Sequence, residues 1–158
     1  MQVWAVANQK GGVGKTTSVV TLAGLLAQQG YRVLVVDLDS HGSLTAYFGH
    51  DPDTMRQSVY DLFIDPNQAA SNLLMPTNLP NLTLLPASSR MAALERQAGQ
   101  LDGMGLVMHR ALAQVDTLFD YVLIDSPPIL GVAMINALAA CELLLMPVQT
   151  EVLAIQGL

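Results

Sequence analysis

The stretch Gln9-Lys10-Gly11-Gly12-Val13-Gly14-Lys15-Thr16-Thr17 decides the fold of this chain. The apolar run Val3–Ala7 precedes it, and a helical pattern over Ser18–Gln28 follows it. A strand, a glycine-rich turn and a helix in this order form the context that a phosphate-binding loop needs. Glycines let backbone N–H groups approach phosphate oxygens closely, and the N-terminus of the helix adds partial positive charge. The stretch therefore predicts a site for the phosphates of a nucleotide.

Several members of the loop have chemistry that suits a nucleotide carried with Mg²⁺. Lys15 can reach the terminal phosphates, and the Thr16 hydroxyl can ligate the metal ion. Thr17 either donates to the α-phosphate or simply starts the helix. Cofactor binding is expected to use Lys15, Thr16 and Thr17 together with the backbone of Gly11, Gly12, Val13 and Gly14.

The loop departs from the usual pattern G-x-x-x-x-G-K-[ST], because position 9 is Gln and a second lysine, Lys10, precedes the glycine pair. Elsewhere in a chain such a lysine would be interpreted as a surface residue. Its place inside a glycine loop indicates a functional role.

Composition limits the class of protein. With 158 residues, we expect one domain over residues 1–158. Hydrophobic residues make up 51% and charged residues 13%, which argues against disorder. A net charge of −6 argues against a broad nucleic-acid footprint in this segment. The sequence shows no signal peptide and no apolar run long enough to span a membrane, so we expect a cytoplasmic protein.

Apolar runs alternate with helical patterns along the chain. Runs of this kind, nearly continuous and rich in β-branched residues, are typical of parallel strands buried on both faces. The alternation predicts an α/β doubly wound sheet. The predicted strands are Val3–Ala7, Val33–Asp37, Leu82–Pro86, Tyr121–Asp125 and Leu143–Pro147, and the helices are Thr16–Gln29, Arg90–Gln100, Leu106–Val115 and Val132–Ala140. Residues 40–81 are less regular, with short helices expected near Leu44–Phe48 and Val59–Phe63.

Three aspartates fall at predicted strand ends, where ligands of open α/β sheets sit. Asp125 is the expected partner for Mg²⁺, with capping of the following turn as the alternative. Asp39 could orient an attacking water and accept its proton, whereas Asp37 is better explained as structural. If the strand continues past Asp37, the two side chains share one face. The three histidines have no metal-like spacing, so they are interpreted as loop or surface residues.

With these residues in place, the chain resembles the ParA/MinD family of deviant Walker A ATPases. The resembling segments are residues 10–17, Val36-Asp37-Leu38-Asp39, residues 121–128 and Pro147-Val148-Gln149-Thr150-Glu151 with Gly157-Leu158. The opening is more similar to ParA and Soj than to MinD, and it is also similar to ParA-like proteins that position chemotaxis arrays. The resemblance implies a mainly parallel sheet flanked by helices, the SIMIBI type of P-loop NTPase fold, continuing past residue 158.

The resemblance also implies an ATP-driven dimer switch. Lys10 would reach the partner subunit's phosphates, and Gly11 would lie at the dimer face. Lys10, Lys15 and Asp39 would serve catalysis, while Thr16 and Asp125 would hold Mg²⁺. The segments at Asp39 and Asp125 would act as switches, and hydrolysis would stay slow until a partner protein stimulates it. Nonspecific DNA binding through residues beyond 158 is expected more than membrane binding.

One departure falls in the first switch, which commonly reads Asp-Pro-Gln-Gly in ParA proteins. Here it reads Asp39-Ser40-His41-Gly42. The departure leaves Asp39 in place and predicts altered switch dynamics.

Other functions remain open besides a positioning or segregation ATPase. A metabolic enzyme of the same fold, such as a cobyrinic acid a,c-diamide synthase-like amidoligase, would need a substrate pocket and a glutamine-cleaving Cys-His site. An iron-sulfur reductase would need two cysteines per subunit, and the sequence has one, Cys141. A nucleotide-binding module without useful turnover is a further alternative.

Overall fold

A computed structural model describes residues 1–97 and 103–150. Among these residues, six segments form strands: β1 Gln2–Val6, β2 Val33–Asp37, β3 Met75–Pro76, β4 Leu82–Leu85, β5 Tyr121–Asp125 and β6 Leu143–Leu145. They pair into one sheet in the order β3-β4-β2-β5-β1-β6. Every pairing is parallel except β3 with β4. The predicted α/β doubly wound, mainly parallel sheet is confirmed.

In the part of the chain that the structure describes, six α-helices accompany the strands. They are α1 Lys15–Gln28, α2 Ser43–Tyr47, α3 Val59–Ile64, α4 Met91–Gln97, α5 Val107–Ala113 and α6 Val132–Ala140, with 3₁₀ turns at Ala70–Leu73 and Met104–Leu106. Most predicted helices match within two residues. The predicted helix Arg90–Gln100 is seen as far as Gln97, and its last three residues lie outside the described residues, as does the pattern over 151–158. None of the described helices is long and apolar enough to cross a membrane.

The sheet is covered on both faces, as its apolar strands require. One hydrophobic cluster includes Val36, Ile124 and Ala137 and packs α3, α4, α5 and α6 against the sheet. The other includes Val19, Val35 and Leu123 and packs α1 against the opposite face. All five residues of β2 are buried.

The parallel register places the functional segments at one level. Asp125 of β5 pairs with Val6 of β1 on one side and with Asp37 of β2 on the other. The three chain segments that leave these strands therefore emerge side by side at the carboxyl edge of the sheet, where ligands bind in this class of fold.

Candidate nucleotide site

The phosphate loop occupies residues 8–14 between β1 and α1. Gly12 and Gly14 have φ values of +72° and +90°, in the left-handed region that side chains disfavour. These glycines let the chain turn tightly onto the N-terminus of α1. An open cavity of ≈ 400 Å³ lies against the loop. Its wall includes the loop glycines, Lys15, Thr16, Thr17, Asp39 and Pro128.

Thr16, which lines this cavity, is hydrogen-bonded to Asp125. The Thr16 hydroxyl donates to Asp125 Oδ2 across 2.5 Å. Burial raises the pKa of the Asp125 carboxyl to about 6, and the negative charge of Asp39 adds to the rise while Thr16 opposes it. The structure thus brings together the two residues predicted to hold Mg²⁺.

The two lysines of the loop point to different places. The Lys15 side chain is only 8% exposed, and its Nζ donates to the Lys10 carbonyl across 3.0 Å while lining the cavity. Lys10 is exposed, and its Nζ donates to Gln149 Oε1 across 3.1 Å. These are the only lysines in the sequence. Lys15 therefore faces the phosphate site and Lys10 faces outward.

The loop after β6 is tied to the phosphate loop by side-chain amides. Asn8 Nδ2 donates to the Pro147 carbonyl across 2.9 Å, and Gln149 Nε2 donates to the Gly12 carbonyl across 3.2 Å. The Asn8 side chain also accepts from the Lys10 backbone. Sequence reasoning missed this contribution, because the contacts join residues 139 or 137 positions apart.

Asp37 and Asp39 have different environments although only one residue separates them. Asp37 is fully buried, and its Oδ2 accepts from the Thr45 N–H and hydroxyl across 2.9 and 2.7 Å. Burial raises the pKa of Asp37 to about 7. Asp37 thus acts as an internal anchor for α2, in agreement with its predicted structural role.

Strand β2 ends at Asp37, so Asp37 and Asp39 do not lie on one face of a continuing strand. Asp37 Oδ1 accepts from the Asp39 N–H across 3.1 Å, and this local bond turns the backbone at the strand end. Asp39 consequently lines the cavity, with its side chain 17% exposed. Its Oδ1 accepts from the His41 N–H and lies 2.9 Å from His41 Nδ1.

His41 is a site residue that the sequence analysis placed among loop or surface histidines. It is exposed, and it also lines the phosphate cavity. His41 follows Asp39 by two residues, and this spacing permits an Asx-type turn. The spacing was the one sequence signal for the contact between the two side chains, which depends on the conformation of the loop.

The segment after β5 is held at both ends. Ser126 Oγ donates to the Val6 carbonyl across 2.8 Å. At the far end, Glu95 of α4 accepts from the N–H groups of Val132 and Ala133 across 2.9 and 2.8 Å. Between these anchors, Pro128 lines the cavity, and Ile129 and Leu130 are 67% and 63% exposed.

Comparisons with known proteins agree with this geometry. A family model described as an AAA domain matches residues 1–158. Soj of Bacillus subtilis, a sporulation initiation inhibitor, is 39% identical over 99% of this chain and 62% of its own length. The chromosome partitioning protein ParA of Myxococcus xanthus is 35% identical over 99% of this chain and 55% of its own length.

Two solved structures show the same fold. Cobyrinic acid a,c-diamide synthase of Mycobacterium smegmatis, with bound ATP analogue and magnesium, has a TM-score of 0.93 and 44% identity, covering all of this chain and 64% of its own. An ATP complex of McdA from Cyanothece has a TM-score of 0.89 and 25% identity, covering 99% of this chain and 60% of its own.

The chain spans less than two thirds of the length of each of these four relatives. Each match nevertheless covers at least 99% of this chain. Because the family model covers the whole chain and partition proteins are among its relatives, this chain belongs to the ParA/MinD family of deviant Walker A ATPases.

Proposed function

We propose that this chain binds and slowly hydrolyses ATP as one half of a dimer switch that positions or segregates cellular cargo. One observation carries the proposal. Two lysines of a single phosphate loop diverge, with Lys15 lining the cavity and Lys10 exposed outside it. An outward lysine beside a phosphate site has a function when a second subunit presents its own phosphates to it.

The residues present fit ATP with Mg²⁺. Magnesium is usually held by one or two carboxylates or hydroxyls together with substrate phosphates and water. The Thr16 hydroxyl and Asp125 carboxylate, already hydrogen-bonded to each other, match that donor set. Within residues 1–97 and 103–150, no group of three or more His, Cys, Asp or Glu residues could hold a metal alone. A bound Mg²⁺ would neutralise charge on the phosphates.

The chain's own groups divide the remaining work. Backbone N–H groups of residues 11–14 and the Lys15 ammonium bind and orient the phosphates. Asp39, which lines the same cavity, orients the attacking water. Lys10 of one subunit stabilises charge on the phosphates of the other, as an arginine finger does in other phosphoryl-transfer enzymes.

Gly11 supports a subunit face at this loop. A Cβ built on Gly11 would meet no atom within 4 Å of its own subunit. A glycine is therefore not required at this position by the fold of the subunit. Close approach by a second subunit would explain the glycine, because a side chain at position 11 would then stand between the two phosphate loops.

Cargo positioning is supported by the relatives, which include Soj and a chromosome partitioning ParA. We place the protein in the cytoplasm with a stimulating partner protein and nonspecific DNA as its matrix, in preference to membrane. Chromosome or plasmid partition and chemotaxis-cluster positioning are the candidate cargo roles.

The test measures ATP turnover and oligomeric state of the protein alone, with duplex DNA and with phospholipid vesicles. We expect slow turnover and an ATP-dependent dimer, with Lys10→Ala monomeric in ATP. Asp39→Ala should bind ATP and accumulate as a dimer. A wild-type protein that stays monomeric at saturating ATP would refute the dimer switch, and normal turnover by Asp39→Ala would remove Asp39 from the mechanism.

A second candidate is an ATP-dependent amidoligase, favoured by the similarity to the structure of the Mycobacterium smegmatis synthase. Against it, the single cysteine, Cys141, packs half-buried against the core, and its thiol donates to the Leu138 carbonyl. Incubation with cobyrinic acid, ATP and either glutamine or ammonia tests this candidate directly. Formation of the diamide would displace the positioning function.

A further inference from the structure

We propose that His41 is a catalytic residue of this ATPase, paired with Asp39 and accepting the proton of the attacking water. The inference rests on the proposed function, because it assigns a residue to the hydrolysis step. It concerns a position where the chain departs from the family pattern, with His41 in the segment Asp39-Ser40-His41-Gly42.

The pairing fixes the tautomer of the ring. His41 Nδ1 lies 2.9 Å from Asp39 Oδ1, and the same oxygen accepts from the His41 N–H across 3.0 Å. An ionised carboxylate only accepts hydrogen bonds, so Nδ1 carries the proton in this contact. Nε2 is then the ring's acceptor, which is the arrangement that makes a histidine a general base.

Its neighbours hold His41 in place. The Gly42 N–H donates to the Asp39 carbonyl across 2.9 Å, closing a turn around His41. Gly42 has a φ of +65°, and a Cβ there would lie 2.5 Å from Pro52 Cβ. This turn leads directly into α2, which Thr45 anchors to Asp37. The exposed ring therefore stands on a backbone that is fixed on both sides.

The proposed step balances as follows. The water oxygen forms a bond to the γ-phosphorus while the bond from that phosphorus to the bridging oxygen of ADP breaks. One water proton passes to His41 Nε2, and Asp39 stabilises the imidazolium through Nδ1. The imidazolium then releases the proton to solvent, since the side chain is 77% exposed.

Several charged groups share the surroundings of His41. Lys15 and Asp39 line the phosphate cavity with it, and Glu95 and Arg96 of α4 line a second cavity of ≈ 200 Å³ that His41 also borders. A histidine that acts as a general base makes kcat depend on pH. The comparison of variants separates this effect from titration of the other groups, which all variants retain.

The experiment records kcat for ATP hydrolysis from pH 5.5 to 8.5 in the wild type, His41→Gln, His41→Asn and the control His109→Gln. His109 is an exposed histidine of α5. Asparagine keeps an N–H donor where Nδ1 stands but has no group equivalent to Nε2. We expect both His41 variants to lose about tenfold or more in kcat at pH 8, to keep ATP affinity within about twofold, and to lose the acidic limb of the profile.

The outcomes are distinguishable. An unchanged profile in His41→Gln overturns the inference, and recovery of wild-type kcat by His41→Asn overturns it too, because His41 would then only hold Asp39. If either of these two results is found while Asp39→Ala stops turnover, the proposed function is kept and only the role of His41 is refuted. A wild-type protein without turnover at any pH would refute both the proposed function and the role of His41. Loss of the acidic limb of the pH profile in His109→Gln would overturn the assignment to His41.

Discussion

Glu95 provides a prediction whose size can be worked from the structure. Its carboxylate accepts from the N–H groups of Val132 and Ala133, the first residues of α6, across 2.9 and 2.8 Å. The residue before them is Gly131, and a Cβ there would lie 1.9 Å from Glu95 Oε2. The backbone does not require glycine at position 131, because a φ of −141° suits any residue. The close approach of the Glu95 carboxylate explains the glycine instead.

The cost of losing this contact follows from two contributions. Removing a side-chain acceptor at a helix N-terminus costs about 0.5–2 kcal/mol, and losing a negative charge there costs about 0.3–1 kcal/mol more. Glu95→Ala should therefore lower the free energy of unfolding by about 2 kcal/mol. For a chain of this size, that is a fall of roughly 4–8 °C in Tm.

Gly131→Ala should cost about as much, because the new methyl group displaces the carboxylate. In the Glu95→Ala background the same change should be neutral or stabilise by about 0.4–1 kcal/mol, as alanine restricts the unfolded chain. Urea unfolding of the four proteins gives the coupling energy directly. Glu142→Ala serves as the control, since it removes the same charge from an exposed position. Effects that add within about 0.5 kcal/mol would refute the reasoning.

Three further predictions concern the site. Lys15→Ala should abolish the stabilisation by ATP, which at 100 Kd is roughly 2.7 kcal/mol in the wild type, and an unchanged thermal shift would refute the phosphate-loop assignment. Gly11→Val should bind ATP yet stay monomeric on sizing, whereas a normal dimer would move the subunit face elsewhere. Asp37 keeps a proton in the native state up to about pH 7 that the unfolded chain loses near its ordinary value of 3.8, so stability should fall as pH rises through this window, by up to about 4 kcal/mol. Asp37→Asn should flatten that fall in urea midpoints at pH 5 and 8, and an unchanged slope would contradict the raised pKa.

The sheet was predictable from the sequence because its strands carry a strong local signal. Buried parallel strands such as Val33–Asp37 and Tyr121–Asp125 are hydrophobic up to the aspartate that ends each of them. Strand β3 carried no such signal. It contains only Met75 and Pro76, and proline restricts a strand to the edge of a sheet, where this one pairs antiparallel with β4.

The parts of the site that come from one motif were predictable, and those made by contacts across the chain were not. Thr16 and Asp125 were found because each has a strand or helix terminus as its local context. The clamp of Gly131 by Glu95 joins an acidic residue of α4 to a glycine that looks like an ordinary turn residue. Such a contact depends on how two helices pack, which no single stretch of sequence encodes.

The register of β2 against β5 explains how two nearby aspartates acquire different functions. Pairing with Asp125 holds Asp37 within the sheet, where its carboxylate is fully buried and bonded to Thr45. The same carboxylate accepts from the Asp39 N–H and so turns the chain out toward the cavity. Asp37 thereby creates the position of Asp39 and, through it, the orientation of His41. A shift of one residue in this register would move every side chain of β2 to the opposite face of the sheet, although both faces are buried. The candidate hydrolysis site therefore depends on the same apolar strand pairing that forms the core.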